Sequence, residues 1–471
     1  MPNLIINPAG PLRGSVTVPG DKSISHRALL LGALAEGDTL VRGWLPAEDC
    51  QATLRCVRGL GVSVDVVDNA LDKPGFSEKP GLSSASALSA TLLVHGVGMA
   101  GLREPADVLD CGGSGTTMRL LAGILAGQPF TSVMTGNEAL RRRPMARIAE
   151  PLRRMGATIL GRDGGRLAPL TIRGGGLAGI DYSLPVASAQ VKSAILLAGL
   201  FADGETIVRE PGPARDHTER MLRAFGVEIE VDVAPAPASV GPYATIRLTG
   251  GQRLAATLDA DGRAVIDVPA DISSAAFPLV AGAIVPGSEI ALRGVGVNPT
   301  RTGLLDLLAE MGCALDAHQP CAMDEPIADI AVRHSRLRGV SAGGNVIVRA
   351  IDEFPIFAVA ATQAEGTTVI RDAGELRVKE SDRIAAVAAE LTRMGAQIEE
   401  RPDGLMIHGP TPLTAAVVDS HRDHRLAMAL AVAGLVARGE TVVQNAEAID
   451  DSFPGFVEMM GALGAEIAWR E

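Results

Sequence analysis

The sequence predicts an α/β protein made of two similar domains, each assembled from three repeated units of strands and buried helices. Two observations carry that expectation. The first is a signature in which an amphipathic helix ends in Leu, Met or Phe, then Gly, then an alternating apolar stretch; it recurs at Gly61, Gly156, Gly226, Gly312, Gly395 and Gly464. Successive copies stand 95, 70, 86, 83 and 69 residues apart, so the first and last pairs of spacings nearly match and the six units divide into three and three. The second is a series of helices apolar on almost every face, which must be buried on all sides. Units this long are not solenoid repeats, and strands alternating with buried helices argue for α/β units closing around a common core.

Along the chain, RGSVTVPG (Arg13 to Gly20) reads as a strand and turn, and ISHRALLLGALAEGDTLVRG from Ile24 as a buried helix, a glycine turn and a strand. RGLGVSVDV around Gly61 then gives a helix, a C-terminal glycine stop and a strand. The excess in the first spacing falls at KPGFSEKPGLSSASALSA, Lys73 to Ala90, an inserted irregular surface segment or a short extra helix. A looser copy of the buried helix spans Gly115 to Gly136, RRMGATIL follows at Gly156, VKSAILLAGLFADGETIVRE begins at Val191, and RAFGVEIEV closes the third unit at Gly226. VIDVPADISSAA (Val265 to Ala276) resembles the opening strand and starts the second set, whose buried helices begin at Ser273, Glu353 and His424. Chain crossings are expected near Pro19 to Gly20 and Asp267 to Pro269. One domain then spans 20–267 and the other joins 1–19 to 268–471, with two connections able to hinge together.

Composition narrows the function. With 47% hydrophobic and 21% charged residues over 471 positions, disorder is excluded, and with only 9 Phe, 2 Tyr and 2 Trp the core must be built from Leu, Ile, Val and Ala. The formal charge of −12 makes nucleic acid or an anionic membrane surface an unsuitable partner. Apolar runs such as Ala194 to Phe201 are too short to span a bilayer, and MPNLIINPAGPLRG lacks the basic and apolar regions of a signal peptide. Five cysteines without a CxxC pair fit a reduced, cytoplasmic protein.

The polar residues of interest gather where buried helices begin. Asp21, Lys22, Ser23, Ser25, His26 and Arg27 open the first, where Ser23 or Ser25 can cap and Lys22 and Arg27 add cations to a dipole end that already favours anions. Cys111 to Arg119 form a Gly/Ser/Thr turn whose free amides suit a carboxylate or phosphate. Arg141, Arg142 and Arg143 precede Pro144 and are expected just before a helix, where their opposition to the dipole is explained by a bound anion. Read alone, each segment is equally a solvated helix entrance. Ser188, Gln190 and Lys192 open another buried helix, and Arg215 precedes a helix that Asp216 or Thr218 can cap. Asp352 and Glu353 stand before FPIFAVAA, where buried like charges raise one another's pKa towards neutrality. Lys379, Glu380, Asp382 and Arg383 read as a helix entrance with Lys379 and Arg383 on one face. His421 and His424 lack a third ligand and are flanked by arginines, so no metal is expected. Were the two domains to face each other, these entrances would converge on a cleft for a multiply anionic substrate.

At these residues the chain resembles the 5-enolpyruvylshikimate-3-phosphate synthase family of enolpyruvyl transferases. The motifs run the length of the chain: DKSISHRALL at Asp21, SGTTMRLL at Ser114, RRRP at Arg141, ASAQVKSA at Ala187, RDHTERML at Arg215, DEFP at Asp352, RVKESDRI at Arg377, DHRLAMA at Asp423 and SFPGF at Ser452. The resemblance implies domains of three βαβαββ units with the active-site cleft between them, an inside-out α/β barrel. It implies transfer of the enolpyruvyl group of phosphoenolpyruvate to the 5-hydroxyl of shikimate 3-phosphate through a tetrahedral adduct, with release of phosphate, in aromatic amino-acid biosynthesis. No cofactor and no metal are called for, and a monomer is expected. By the family's pattern Lys22, Ser23, Arg27, Ser188, Gln190, Arg215, Asp352 and Lys379 match the shikimate 3-phosphate site. Lys22, Gly115, Arg143, Gln190, Arg383 and Arg425 match the phosphoenolpyruvate site. Asp352 matches the base, with Glu380 and Lys22 as proton donors or relays. In the family glyphosate occupies the phosphoenolpyruvate site, and a glycine where Gly115 stands leaves it room.

Several positions depart from the family's pattern. Gly113-Ser114 stands where many members have Asn-Ala, Leu120 where they have Pro, Ala189 in place of a second serine, and Asp451 where some have a Lys that touches phosphate. A sister enzyme using UDP-N-acetylglucosamine would carry Lys-Asn where this chain has Lys22-Ser23, together with a reactive loop cysteine. A noncatalytic anion-binding scaffold would need none of Lys22, Asp352, Glu380, Arg383 and Arg425.

Overall fold

The computed structural model describes residues 3–69, 89–234, 243–256, 258–321 and 325–470. Six four-stranded sheets form among them, and all follow one plan: a parallel pair, then two antiparallel neighbours. The strands Leu109–Asp110, Thr131–Thr135, Leu167–Arg173 and Thr158–Gly161 show it, with Asp110 opposite Thr135 in the parallel pair and Val133 opposite Thr171 in the antiparallel one. Between the first two strands runs the apolar helix Gly115–Ala126, and between the second and third the amphipathic helix Ala146–Arg154. Each unit is thus strand, helix, strand, helix and a final antiparallel pair.

The residues cluster into two compact bodies, the chain up to Asp21 with Pro269 onward, and Lys22–Asn69 with Ser89–Val268. Each holds three of the sheets, and three strands are supplied from a distance in sequence. Ala264–Asp267 pairs parallel with Glu36–Trp44, completing the first sheet of its body with the end of the third unit. Arg13–Val16 does the same for Glu289–Gly296. Asn3–Ile6 lies between Thr441–Gln444 and Ile467–Arg470, so the N-terminal strand finishes the last unit.

All six signature glycines have positive φ, from +76° at Gly226 to +115° at Gly156. That left-handed turn ends each helix and costs any other residue roughly 1–2 kcal/mol. The apolar helices behave as their composition demands: every residue of Ile272–Ile284, Phe354–Thr362 and His424–Gly434 is buried. These three pack pairwise, and in the other body Gly115–Ala126 packs on both Lys22–Leu34 and Ala189–Gly199. Small residues make that approach possible, since a Cβ on Gly123 would lie 2.2 Å from the Ala194 carbonyl oxygen. The segment from Lys73 lies, as far as residue 88, outside the described residues; Ala90 opens the strand Ala90–Val97. No described helix is long and apolar enough to cross a membrane.

Candidate active site

In the body containing residues 22–69 and 89–268, the polar residues sit at the entrances of three buried helices. Lys22 begins Lys22–Leu34, and its Nζ lies 3.0 Å from Asp49 Oδ2 on the helix Glu48–Gly59. Arg27 is buried one turn on: Nε donates to Thr218 Oγ1 (2.7 Å), Nη2 to Ser193 Oγ (2.8 Å) and Nη1 to the Ser23 carbonyl (2.8 Å). Arg215 Nη1 reaches Ser23 Oγ at 3.4 Å, so Ser23, Arg27 and Arg215 share one neighbourhood. Ser25 accepts from the Leu45 amide at 3.1 Å.

A second group surrounds Gly115. Ser114 caps its helix by accepting from the Thr117 amide. Behind the turn a buried chain of polar groups runs His26, Thr53, Thr117 and Ser114, with contacts of 2.6, 2.6 and 2.8 Å. It ties the glycine turn to the two preceding helices. A Cβ on Gly115 would meet Arg119 Nη1 at 2.8 Å and Arg143 Nη1 at 3.2 Å, which puts both guanidinium groups over the glycine. Gln190 joins them, accepting from Arg119 Nη1 at 2.6 Å and donating to Thr116 Oγ1 at 3.0 Å. Ser188 occupies the N-cap position of Ala189–Gly199. Lys22, Arg27, Arg119, Arg143 and Arg215 bring cationic groups to these two clusters, an arrangement suited to anions.

The other body gathers carboxylates around two arginines. Arg383, 1% exposed, lies 2.8 Å from Asp423 Oδ2, 2.8 Å from Glu380 Oε2 and 3.5 Å from Asp352 Oδ1. Burial opposes its charge, but Asp423, Glu380 and Asp352 outweigh that and raise its pKa. Burial works against the Asp423 carboxylate as well, and Arg383 holds its pKa below the usual range. Arg425 Nη1 donates to the Asp352 carbonyl at 3.0 Å, and its guanidinium lies 3.6 Å from the Asp352 carboxylate and 3.7 Å from Glu353. Asp352 is therefore set between two guanidinium groups. Behind it the Ser273 hydroxyl donates to Glu353 and accepts from Arg301, which also grips Asp21 at 2.9 Å and Asp271 at 3.0 Å.

Two local expectations are corrected and one is extended. The arginines do precede a helix, Ala146–Arg154, but Arg141 and Arg142 also close a short one, Glu138–Arg142, where cations complement the dipole, and they line a cavity of about 410 Å³ with Glu138, Arg162 and Pro169, while Arg143 turns to Gly115. Lys379 is not on a helix face with Arg383: Asp382 caps the helix by accepting from Ala385, Arg383 is its first residue, and Lys379 pairs with Glu375 at 3.4 Å. Asp216 does not cap through its side chain but pairs with Arg220, and Thr218 is committed to Arg27 and Ser193. Asp49 and Arg301 were not singled out from the sequence, and Arg119 and Asp423 were named only within their segments, without a role. For Asp423 a signal existed, because Asp271, Asp382 and Asp423 stand at the same helix-entrance position and each caps through its side chain. Among the described residues no group of three or more His, Cys, Asp or Glu side chains is gathered for a metal ion.

Comparison with known proteins decides what this architecture is. The family model for EPSP synthase (3-phosphoshikimate 1-carboxyvinyltransferase) matches residues 6–460. The chain belongs to the EPSP synthase family. Relatives described as 3-phosphoshikimate 1-carboxyvinyltransferase include one from Desulforamulus reducens, 51% identical over 97% of this chain and 98% of the relative, and one from Pelotomaculum thermopropionicum, 53% identical over 96% of each. Among solved structures, EPSP synthase from Acinetobacter baumannii superposes with a TM-score of 0.83 at 44% identity, covering both chains fully. The enolpyruvyl transferase NikO from Streptomyces tendae gives 0.76 at 20% identity over 100% of this chain and 99% of that one, which speaks for the fold alone. The two α/β domains of three units are the inside-out barrel of the EPSP synthase family.

Proposed function

We propose that the charged arrays of both bodies serve one reaction, the arginine-rich groups by holding anions and the Asp352 group by moving protons. Members of the EPSP synthase family transfer the enolpyruvyl group of phosphoenolpyruvate to shikimate 3-phosphate by addition and elimination, and this chain catalyses that transfer. Shikimate 3-phosphate is bound by Lys22, Ser23, Arg27, Ser188, Gln190, Arg215, Asp352 and Lys379. Phosphoenolpyruvate is bound by Lys22, Gly115, Arg143, Gln190, Arg383 and Arg425. What supports the second set is the pair of guanidinium groups over Gly115, where a side chain would intrude.

In the addition, a proton goes to C3 of phosphoenolpyruvate, positive charge develops at C2, and the 5-oxygen of the acceptor bonds to C2 as its proton leaves. Asp352 takes the hydroxyl proton; Glu380 and Lys22 donate to or relay towards C3. In the elimination a proton leaves the new methyl group, the C2–O bond to phosphate breaks and phosphate departs. Arginines stabilise the carboxylate and phosphate charge throughout. The observation that carries the assignment of Asp352 is its position between Arg383 and Arg425. These two guanidinium groups fix the carboxylate in place among the groups that bind the donor substrate.

Phosphate release from phosphoenolpyruvate and shikimate 3-phosphate tests the activity; release only with UDP-N-acetylglucosamine as acceptor, or with neither, would overturn it. The enzyme works as a monomer in the cytoplasm, a reading tested by light scattering and fractionation; the buried thiols of Cys56, Cys111 and Cys313 fit a reducing compartment.

A further inference from the structure

Beneath the entrance of the helix Ala189–Gly199 lies a buried cluster that the reaction itself does not use. Lys192 is 1% exposed, and its Nζ stands 3.0 Å from Glu210 Oε1 and 2.6 Å from Glu219 Oε1, carboxylates themselves 4% and 2% exposed. The three come from three elements: the buried helix, the end of the strand Glu205–Glu210, and the helix His217–Ala224 that Arg215 precedes. One ammonium serves two carboxylates. Burial works to lower the pKa of Lys192, but Glu219 and Glu210 outweigh it and the net shift is upward.

Such a cluster is a poor way to gain stability. Ions taken from water are repaid only in part by their attraction, and apolar side chains of similar volume hold a core together as well or better. What three charged groups do better is fix a geometry. Here the geometry is that of the first helical turn, since the Lys192 amide donates to the Ser188 carbonyl at 3.0 Å. The same turn is held from two other sides. Gln190 is tied to Arg119 and Thr116, and Ser193, next to Lys192, meets Thr218 at 2.7 Å under the Arg27 guanidinium.

We propose that Lys192, clamped between Glu210 and Glu219, is a positioning residue that sets the placement of Ser188 and Gln190 for shikimate 3-phosphate. The proposal rests on the reading that Ser188 and Gln190 bind that substrate. Lys192 touches neither substrate nor reacting atoms, so its removal acts on affinity for the acceptor more than on the chemical step.

The test compares Lys192→Arg with the double variant Lys192→Met/Glu219→Gln. The double variant leaves one carboxyl, Glu210, whose burial favours the neutral form. In both, KM for shikimate 3-phosphate is expected to rise about tenfold or more while kcat changes far less, because misplaced binding groups act on affinity. Glu219→Gln alone keeps an acceptor for Lys192 and is expected to leave KM within about twofold of the parent. A purely structural cluster would lower the melting temperature and the active fraction and leave KM where it was. That result, or loss of the fold in both Lys192 variants, overturns the proposal. Ser188→Ala and Gln190→Ala run alongside: if neither raises KM for shikimate 3-phosphate, the binding assignment fails; if they do and the Lys192 variants do not, this inference alone fails.

Discussion

Replacing Gly115 with alanine isolates the phosphoenolpyruvate site from the fold. Gly115 is not among the glycines with positive φ, so alanine fits the backbone of this first helical residue. Its new Cβ would lie 2.8 Å from Arg119 Nη1 and 3.2 and 3.3 Å from Arg143 Nη1 and Cζ, all nearer than ordinary contact. These are the ends of long side chains, so they yield and the backbone does not. Arg119 is buried and holds Gln190 at 2.6 Å, and its displacement loosens Gln190 as well. Losing one hydrogen bond from a charged group is worth about 1.5–3 kcal/mol, roughly 10- to 150-fold in affinity. KM for phosphoenolpyruvate, measured by phosphate release at saturating shikimate 3-phosphate, is therefore expected to rise at least about tenfold with the melting temperature unchanged. Inhibition by glyphosate should weaken in the same variant and remain competitive with phosphoenolpyruvate. An unchanged KM for phosphoenolpyruvate in folded Gly115→Ala enzyme would show that Arg143 and Gln190 do not bind that substrate.

Asp352→Ala should lower kcat by roughly 10²–10⁴-fold, the worth of a positioned acid or base, without raising KM for phosphoenolpyruvate, because Arg383 and Arg425 lose a competing carboxylate; near-normal turnover would remove Asp352 from the mechanism. Burial raises Glu210 from 4.5 to about 7 against the pull of Lys192, so the folded protein binds more protons than the unfolded chain between those values. Stability should accordingly fall as pH rises through that window, by on the order of 3 kcal/mol, and denaturant titrations of Glu210→Gln should show a flatter slope. His95 is raised above 6.5 by hydrogen bonds to Asp65 and Asp38, at 3.0 and 2.8 Å. Its contribution is complete below the unfolded pKa and disappears as pH climbs through the folded one, so His95→Gln should cost stability at pH 5.5 and little at pH 8.5; equal losses at both would count against the ion pairs.

Local signals settled much of this protein. The six glycine stops were legible because ending a helix in the left-handed region is a property of one residue and its neighbours, and all six do so. Buried helices such as Ile272–Ile284 were legible because a segment without a polar face has only one environment available. Tertiary structure alone decided the pairings made across the chain. Nothing in Asn3–Ile6 says that it will lie between Thr441–Gln444 and Ile467–Arg470, since any exposed strand edge offers the same backbone groups and only closure of the unit selects the partner. The charged residues divide in the same way. Helix entrances placed Lys22, Arg383 and Arg425 among the candidates, but the partners that orient them, Asp49 for Lys22 and Asp423 for Arg383, lie 27 and 40 residues away along the chain. Lys379 marks the limit, because spacing put it on a helix face and the Asp382 cap, a hydrogen bond formed only when the turn closes, began the helix four residues later.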